Sequence, residues 1–120
     1  MANSPTVEGS GRTGAYCARV NATDTLHQEF VCGPLRSLYI EGYAKAQTSG
    51  QTPTAQIIVR DMETAAEIAK GTISCVNPAA WERIAFCCGV HPANHLIGVY
   101  IEQGGGVGDV LFDDLAVYKV

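Results

Sequence analysis

Charged residues, aromatic residues and long apolar runs are all scarce in this 120-residue sequence. Charged residues make up 17% of it, against roughly 25% in an ordinary soluble domain. The net charge is −4 and the few basic residues form no cluster, which argues against a nucleic-acid partner. No apolar run approaches the roughly 18 residues that a membrane-spanning helix needs, so a membrane partner is not expected either.

Cysteine is present five times, at positions 17, 32, 75, 87 and 88. The count is odd, and the spacings match no paired zinc-binding pattern. We expect mostly buried, free thiols in a reducing compartment, while one or two disulfides, for example involving Cys17 and Cys32, are the alternative. In a strand, the neighbours Cys87 and Cys88 point to opposite faces and cannot easily serve one site.

Short β-prone segments, separated by turn residues about every ten positions, dominate what is present. Residues 62–71 fit either a short helix or a hairpin, and the flanking strands favour the hairpin. This spacing predicts one all-β domain over residues 1–120, an antiparallel sandwich or barrel of about eight or nine strands with little or no helix. The β-prone segments are residues 5–8, 16–20, 27–32, 38–46, 55–60, 72–76, 81–88, 96–102 and 110–120.

The clearest alternation runs from Leu38 to Ala46. Leu38 and Ile40 begin a small, apolar face that we expect in the core. Tyr39, Glu41 and Tyr43 lie on the other face, which we expect to meet water or a ligand.

The C-terminal stretch "GDVLFDDLAVYKV" places two aspartates, Asp113 and Asp114, inside a β-prone run. Alternation puts them on opposite faces, Asp113 with Leu111 and Leu115, so they cannot form the facing carboxylate pair of a glycosidase. Histidines and cysteines show no catalytic arrangement either, and His91 and His95 share one Pro-containing loop. We therefore expect no enzyme activity.

Several stretches together resemble the jelly-roll carbohydrate-binding modules. The tail "GDVLFDDLAVYKV" is similar to their last strand, which carries an aromatic–Asp–Asp or Asn–hydrophobic run. "SLYIEGYAKAQ" is similar to their strand that brings an aromatic and a small residue after a Pro-Gly turn, and "WERIAF" resembles the opening of their Trp-containing strand. "NSPTVEGSG" more loosely resembles their N-terminal run. The resemblance covers most of the chain in order, and it implies a jelly-roll sandwich that binds glycans without catalysis.

The resemblance also implies a structural calcium ion where the first strand meets the last. The matching residues are Glu8 and Asp113, and backbone carbonyls near Gly11 to Gly14 would complete the shell of oxygen ligands. Thr6-Val7 stands where Gly-Phe is usual in that family. The alternative is that Asp113 and Asp114 cap a turn and accept hydrogen bonds from loop amides.

A glycan site needs aromatic rings that stack on sugar faces, with polar side chains around them for the hydroxyls. The alternative is that the tyrosines are half-buried packing residues, and we expect Trp81 to anchor its loop in the core. The candidate ligand-binding residues, expected together on one sheet face, are Tyr39, Glu41, Tyr43, Arg60, Tyr100 and Glu102.

Two functions follow from this pattern. The first is a module that binds a glycan or polysaccharide through a sheet face or its rim loops. The second is a virus or phage structural protein, a capsid decoration or tail component, that uses the same fold for assembly with capsid or tail proteins or as a homo-oligomer. The N-terminal residues lack the apolar core of a signal peptide, so we expect either a module of a secreted protein or a virion component.

Overall fold

The computed structural model describes residues 6–8, 17–22, 25–31, 36–73, 79–90 and 96–119, with residues 6–8, 36 and 119 described by their backbone alone. Nine strands cover most of them. In chain order the strands are β1 (Thr6–Glu8), β2 (Cys17–Val20), β3 (Thr25–Val31), β4 (Arg36–Ala46), β5 (Thr54–Asp61), β6 (Glu67–Ile73), β7 (Glu82–Val90), β8 (Leu96–Gly105) and β9 (Val110–Lys119).

The strands form two antiparallel sheets that pack face to face. Sheet I has the order β1-β2-β9-β4-β7, and sheet II has the order β3-β8-β5-β6. The predicted antiparallel sandwich of jelly-roll type is confirmed, and none of the residues described above forms a helix. Within that part of the chain, no helix is long and apolar enough to cross a membrane.

Alternation along the strands builds the core between the sheets. On β4, Leu38, Ile40 and Ala44 are fully buried, and Tyr39 lies on the opposite face, as predicted. A Cβ on Gly42 would lie 2.8 Å from the Leu115 side chain, so the close approach of β9 requires a small residue there. The core consists of Val20, Leu38, Ile40, Ala44, Ala55, Ile57, Val59, Ile84, Val90, Ile97, Val99, Ile101, Val110 and Phe112.

The ambiguous segment 62–71 is a hairpin, as favoured. β5 ends at Asp61, whose buried carboxylate accepts a hydrogen bond from the backbone N–H of Glu63 at 2.9 Å. The N–H of Asp61 donates to the carbonyl of Ala66, also at 2.9 Å, and closes the turn. β6 begins at Glu67, five residues before the start of the strand predicted at 72–76. The last three residues of that predicted strand lie outside the described part.

β9 contains a bulge that the sequence pattern did not indicate. Asp114 has a φ of 52°, and the β9–β4 register shifts between Glu41 and Tyr43. Asp113 therefore lies opposite Tyr43 on the outer face, while Leu115 turns inward against Gly42. The prediction that Asp113 and Leu115 share a face is wrong, because the extra residue of a bulge interrupts the alternation.

Backbone hydrogen bonds between two loops hold one end of the sandwich together. The N–H of Gln47 donates to the carbonyl of Asp109 at 3.0 Å, and that of Thr52 donates to the carbonyl of Val107 at 3.1 Å. The β4–β5 and β8–β9 loops are thus joined by backbone hydrogen bonds. Arg19 on β2 adds an ion pair with Asp109 at 2.6 Å.

Candidate functional site

The six predicted ligand-binding residues lie on two opposite faces of the sandwich, so the expectation that they share one sheet face is wrong. Tyr39, Glu41 and Tyr43 point outward from sheet I, on β4. Arg60, Tyr100 and Glu102 point outward from sheet II, on β5 and β8. The strand order separates them, because β4 and β5 are consecutive in the chain but belong to different sheets.

The outer face of sheet I carries two polar and aromatic rows around β4. We call it the tyrosine face, and it comprises Tyr39, Glu41, Tyr43, Arg83, Asp113 and Tyr118. In one row, Tyr39 lies opposite Tyr118 on β9, and their rings stack with centroids 6.0 Å apart. In the other, Tyr43 lies between Arg83 on β7 and Asp113 on β9. Tyr118 is 55% exposed, so its ring is largely open to solvent.

Hydrogen bonds fix the orientation of the polar groups on the tyrosine face. The hydroxyl of Tyr39 donates to Glu41 Oε2 at 2.8 Å, and Arg83 Nε donates to the same oxygen at 3.0 Å. Arg83 Nη2 also donates to the Tyr39 hydroxyl oxygen and lies 2.8 Å from Glu41 Oε2. The hydrogen bond to Glu41 raises the pKa of Tyr39 above its ordinary value, and it also raises the pKa of Arg83.

Small side chains separate the two rows. Glu41 lies between Ala85 on β7 and Ala116 on β9, and two methyl groups occupy little height beside tyrosine rings. The Arg83 side chain reaches from the Tyr43 row across Glu41 to the Tyr39 hydroxyl, so polar groups of Arg83 and Glu41 occupy the space between the two rows.

Trp81 extends the tyrosine face instead of anchoring a loop in the core. It is half-buried immediately before β7, and the ammonium group of Lys45 lies 5.6 Å from the centroid of its ring. Lys45 is on the outward side of β4, so the expectation of a core position for Trp81 is wrong.

The outer face of sheet II carries the second group, which we call the Tyr100 face, with Arg60, Tyr100 and Glu102 as its predicted members. His27 on β3 stacks on the Tyr100 ring with centroids 4.5 Å apart. Arg60 on β5, the strand on the other side of β8, lies 5.3 Å from the same ring. Since both flanking strands supply a cover, Tyr100 is already stacked within its own chain.

Glu102 is also engaged by neighbours on the Tyr100 face. Its carboxylate accepts hydrogen bonds from Gln56 Nε2 at 3.3 Å and from the Thr25 hydroxyl at 3.4 Å. The carboxylate is thus part of a cross-strand network over β3, β8 and β5.

Arg83, Tyr118, Trp81 and His27 are among the residues on these faces that were not predicted as site members. Arg83 and Trp81 share the outward alternation of β7, which was visible in the sequence, but only the β4–β7 pairing brings them to Tyr39 and Lys45. Tyr118 comes to Tyr39 only because β9 pairs with β4 after its bulge. These contacts could not be predicted because they depend on the order of strands in the sheet, which brings together residues far apart in the sequence.

The cysteines follow the predicted alternation where they are described. Cys87 is an exposed free thiol opposite Tyr39, and Cys88 packs against the core. Cys17 is buried, and the predicted positions Cys32 and Cys75 lie outside the described residues, as do His91 and His95.

The two residues predicted to bind calcium lie on strands that are not neighbours, because β2 lies between β1 and β9. β1 pairs Glu8 with Cys17, and the β2–β9 pairs run from Val20–Val110 to Ala18–Phe112. The Glu8 side chain lies outside the described residues, and those that are described contain no cluster of three or more His, Cys, Asp or Glu suited to a metal ion. Calcium remains a prediction.

No family model matches this chain, and no curated protein matches it significantly. Solved structures do match. The CBM22-1 xylan-binding domain of Paenibacillus barcinonensis Xyn10C has a TM-score of 0.72 at 14% identity, over 97% of this chain and 80% of that one. TmCBM61, solved with β-1,4-galactotriose, has a TM-score of 0.70 at 13% identity, over 98% of this chain and 83% of that one.

Larger proteins contain the same fold as one part. The CBM22-1–GH10 region of Clostridium thermocellum xylanase 10B, solved with xylohexaose, has a TM-score of 0.67 at 21% identity; the match covers 95% of this chain and 24% of that one. At these identities the likeness shows the fold alone. The chain has the β-sandwich fold found in carbohydrate-binding modules, and it spans about a quarter of the xylanase structure that it matches.

Proposed function

We propose that the chain is a non-catalytic glycan-binding module and that the tyrosine face is its binding surface. The observation that carries the proposal is the pair of stacked rings, Tyr39 and the exposed Tyr118, beside the fixed polar groups of Glu41 and Arg83. A sugar ring presents an apolar face that packs on an aromatic ring and hydroxyl groups that need donors and acceptors close by.

The polar groups between the two rows suit the hydroxyls of a chain of sugars. A sugar unit that packs on the Tyr39 and Tyr118 rings has the carboxylate of Glu41 and the guanidinium of Arg83 beside it. Glu41 is held by Arg83 at 2.8 Å, and its carboxylate oxygens are acceptors for sugar hydroxyls.

The Tyr100 face is a weaker candidate for the same role. A sugar would have to displace His27 or Arg60 from the Tyr100 ring before it could stack there. That displacement costs contacts already made, whereas the Tyr118 ring is 55% exposed.

Affinity electrophoresis in xylan, β-1,4-galactan and mixed β-glucan gels tests the proposal. We expect retardation in at least one gel. Tyr118→Ala removes about 1–2 kcal/mol of stacking and should weaken binding by roughly five- to thirtyfold. Tyr100→Ala, on the opposite face, is the matched control and should leave binding unchanged. Retention of full binding by Tyr118→Ala and Tyr39→Ala together, or its loss in Tyr100→Ala, would refute the assignment of the face.

The exposed thiol of Cys87 allows a second, independent measurement. Cys87 lies opposite Tyr39, at the end of the row that Tyr118 begins. A bound glycan should slow its reaction with a maleimide, measured by mass spectrometry of the peptide that contains it. The Cys87→Ser variant shows which part of the maleimide label on that peptide belongs to Cys87. Unchanged labelling at saturating polysaccharide would contradict binding on this face.

An assembly role in a virus or phage particle is the second candidate function, and one comparison favours it. The enzymatically active domain of tailspike protein 4 of bacteriophage CBA120 has a TM-score of 0.63 at 14% identity, over 99% of this chain and 18% of that one. In this role the tyrosine face is an interface with another protein. Particle-bound protein with Tyr118 protected from iodination, together with no retardation in any polysaccharide gel, would support it over glycan binding.

A further inference from the structure

β3 is the outermost strand of sheet II and pairs, among the strands described, with β8 alone. Most of its side chains are exposed, including some that face the other sheet. Leu26 and Gln28 alternate with the outward His27 and Glu29, so they face the space between the sheets, yet both are exposed, Leu26 by 44%. Sheet I therefore leaves the inner side of this strand partly uncovered.

A cleft of about 530 Å³ lies on that inner side. Leu26 and Phe30 line it from β3, Val99 and Ile101 from β8, and Leu115 and Val117 from β9 across the gap. Leu115 is 43% exposed. Apolar side chains left open beside an edge strand mark a surface that another polypeptide can cover.

The sequence of β3 identifies the partner, because it is self-complementary about Gln28. When two copies of this strand pair antiparallel around a two-fold axis through Gln28, His27 of one copy lies opposite Glu29 of the other, and the reverse pair forms as well. On the inner side, Leu26 of each copy lies opposite Phe30 of the other. On the outer face, each Glu29 thus meets a histidine and no like charge. On the inner face, apolar side chains meet apolar side chains.

We infer that β3 pairs with β3 of a second copy of this chain, so that the two copies of sheet II become one continuous antiparallel sheet. The new backbone hydrogen bonds close both edges, and the paired Leu26 and Phe30 side chains cover the openings of the two clefts. The tyrosine face lies on sheet I in each copy, so pairing leaves it accessible. The inference does not depend on what that face binds.

The contact is small. Stable interfaces bury at least about 1,200 Å² in total, and pairing of one short strand buries less, so we expect a dissociation constant of roughly 10–100 µM. Sedimentation velocity over a concentration series measures it directly.

Complementary charge variants test the register. His27→Glu places two carboxylates opposite each other twice in the dimer. Glu29→Lys twice replaces the carboxylate opposite His27 with an ammonium group, so both His27–Glu29 contacts are lost. Each alone should weaken dimerisation by about tenfold. A mixture of the two places the glutamate introduced at 27 opposite the lysine introduced at 29, and should dimerise at least as well as the wild type. Lys70→Glu, on the opposite edge of sheet II, is the matched control and should dimerise normally.

His27→Glu also removes the ring that stacks on Tyr100, so thermal melts should accompany it to show that the variant is folded. If the mixture of His27→Glu and Glu29→Lys regains dimer affinity, the lost stacking on Tyr100 cannot be the cause of the weaker dimer of His27→Glu. A wild-type chain that stays monomeric at every soluble concentration overturns the inference. Three other results would also overturn it. They are a dimer affinity that neither variant changes, a mixture of the two variants that dimerises no better than either alone, and a Lys70→Glu variant whose dimer is weakened as much as theirs.

Discussion

The loop between β8 and β9 depends on one buried side-chain amide, and altering that amide should destabilise the protein. Gln103 is 7% exposed. Its Nε2 donates to the carbonyl of Gly108 at 3.0 Å and to that of Gly106 at 3.4 Å, and its Oε1 accepts the N–H of Gly105 at 2.6 Å. The three bonds hold a loop whose glycines Gly105, Gly106 and Gly108 all have positive φ.

Gln103→Glu keeps the shape and the bond to Gly105 but turns the donor into a second acceptor. Two hydrogen bonds, each worth about 1 kcal/mol net, are lost, and a carboxylate oxygen then faces two carbonyl oxygens in a nearly dry site. Water can reach part of the loop and limits the penalty. We expect the free energy of unfolding to fall by about 2–3 kcal/mol at pH 7, which for a domain of this size lowers Tm by roughly 6–12 °C.

Urea unfolding and thermal melts followed by circular dichroism measure the effect. Val107→Ala, on the same loop at 66% exposure, is the control and should change stability by less than about 0.5 kcal/mol. The difference between Gln103→Glu and the wild type should shrink on acidification, since a protonated carboxyl can donate to Gly108 again. If Gln103→Glu matches Val107→Ala at pH 7, the loop does not depend on this amide.

Three further predictions concern other parts of the fold. Gly71→Ala should cost about 1–3 kcal/mol in urea unfolding, because a Cβ would lie 2.6 Å from the Phe86 ring, whereas Gly89→Ala meets nothing within 4 Å and should be near neutral. Ultraviolet titration should show that Tyr39 ionises above the ordinary tyrosine pKa of about 10, and Glu41→Gln should remove that shift. The raised pKa of Tyr39 contributes stability that is full below pH 10 and is lost as the pH rises through the folded value. Calcium should raise Tm in the wild type and not in Asp113→Asn; an unchanged wild-type Tm after chelation and after calcium addition would end the calcium prediction.

Local alternation accounts for what could be predicted. The faces of β4 and β7, the outward Cys87 and the hairpin at residues 62–71 all depend on neighbours within a few positions, where period-two patterning and turn residues are informative.

The composition of the candidate site could not be predicted, because it depends on which strands are neighbours. Tyr39 and Tyr118 are far apart in sequence and meet only because β9 pairs with β4. Tyr100 was expected beside Tyr39, but β8 lies in the other sheet. The bulge at Asp114 is also set by this pairing, since Gly42 on β4 admits the inward Leu115.

The position of β9 has a consequence for how the chain is made. In sheet I, β9 lies between β2 and β4. These two strands therefore lack the neighbour that joins them until residues 110–119 have left the ribosome. Until then the long strand β4 can pair only with β7, and its other edge is open to other chains. We expect nascent chains stalled before residue 110 to aggregate or bind chaperones, and protease resistance to appear only once β9 has been released.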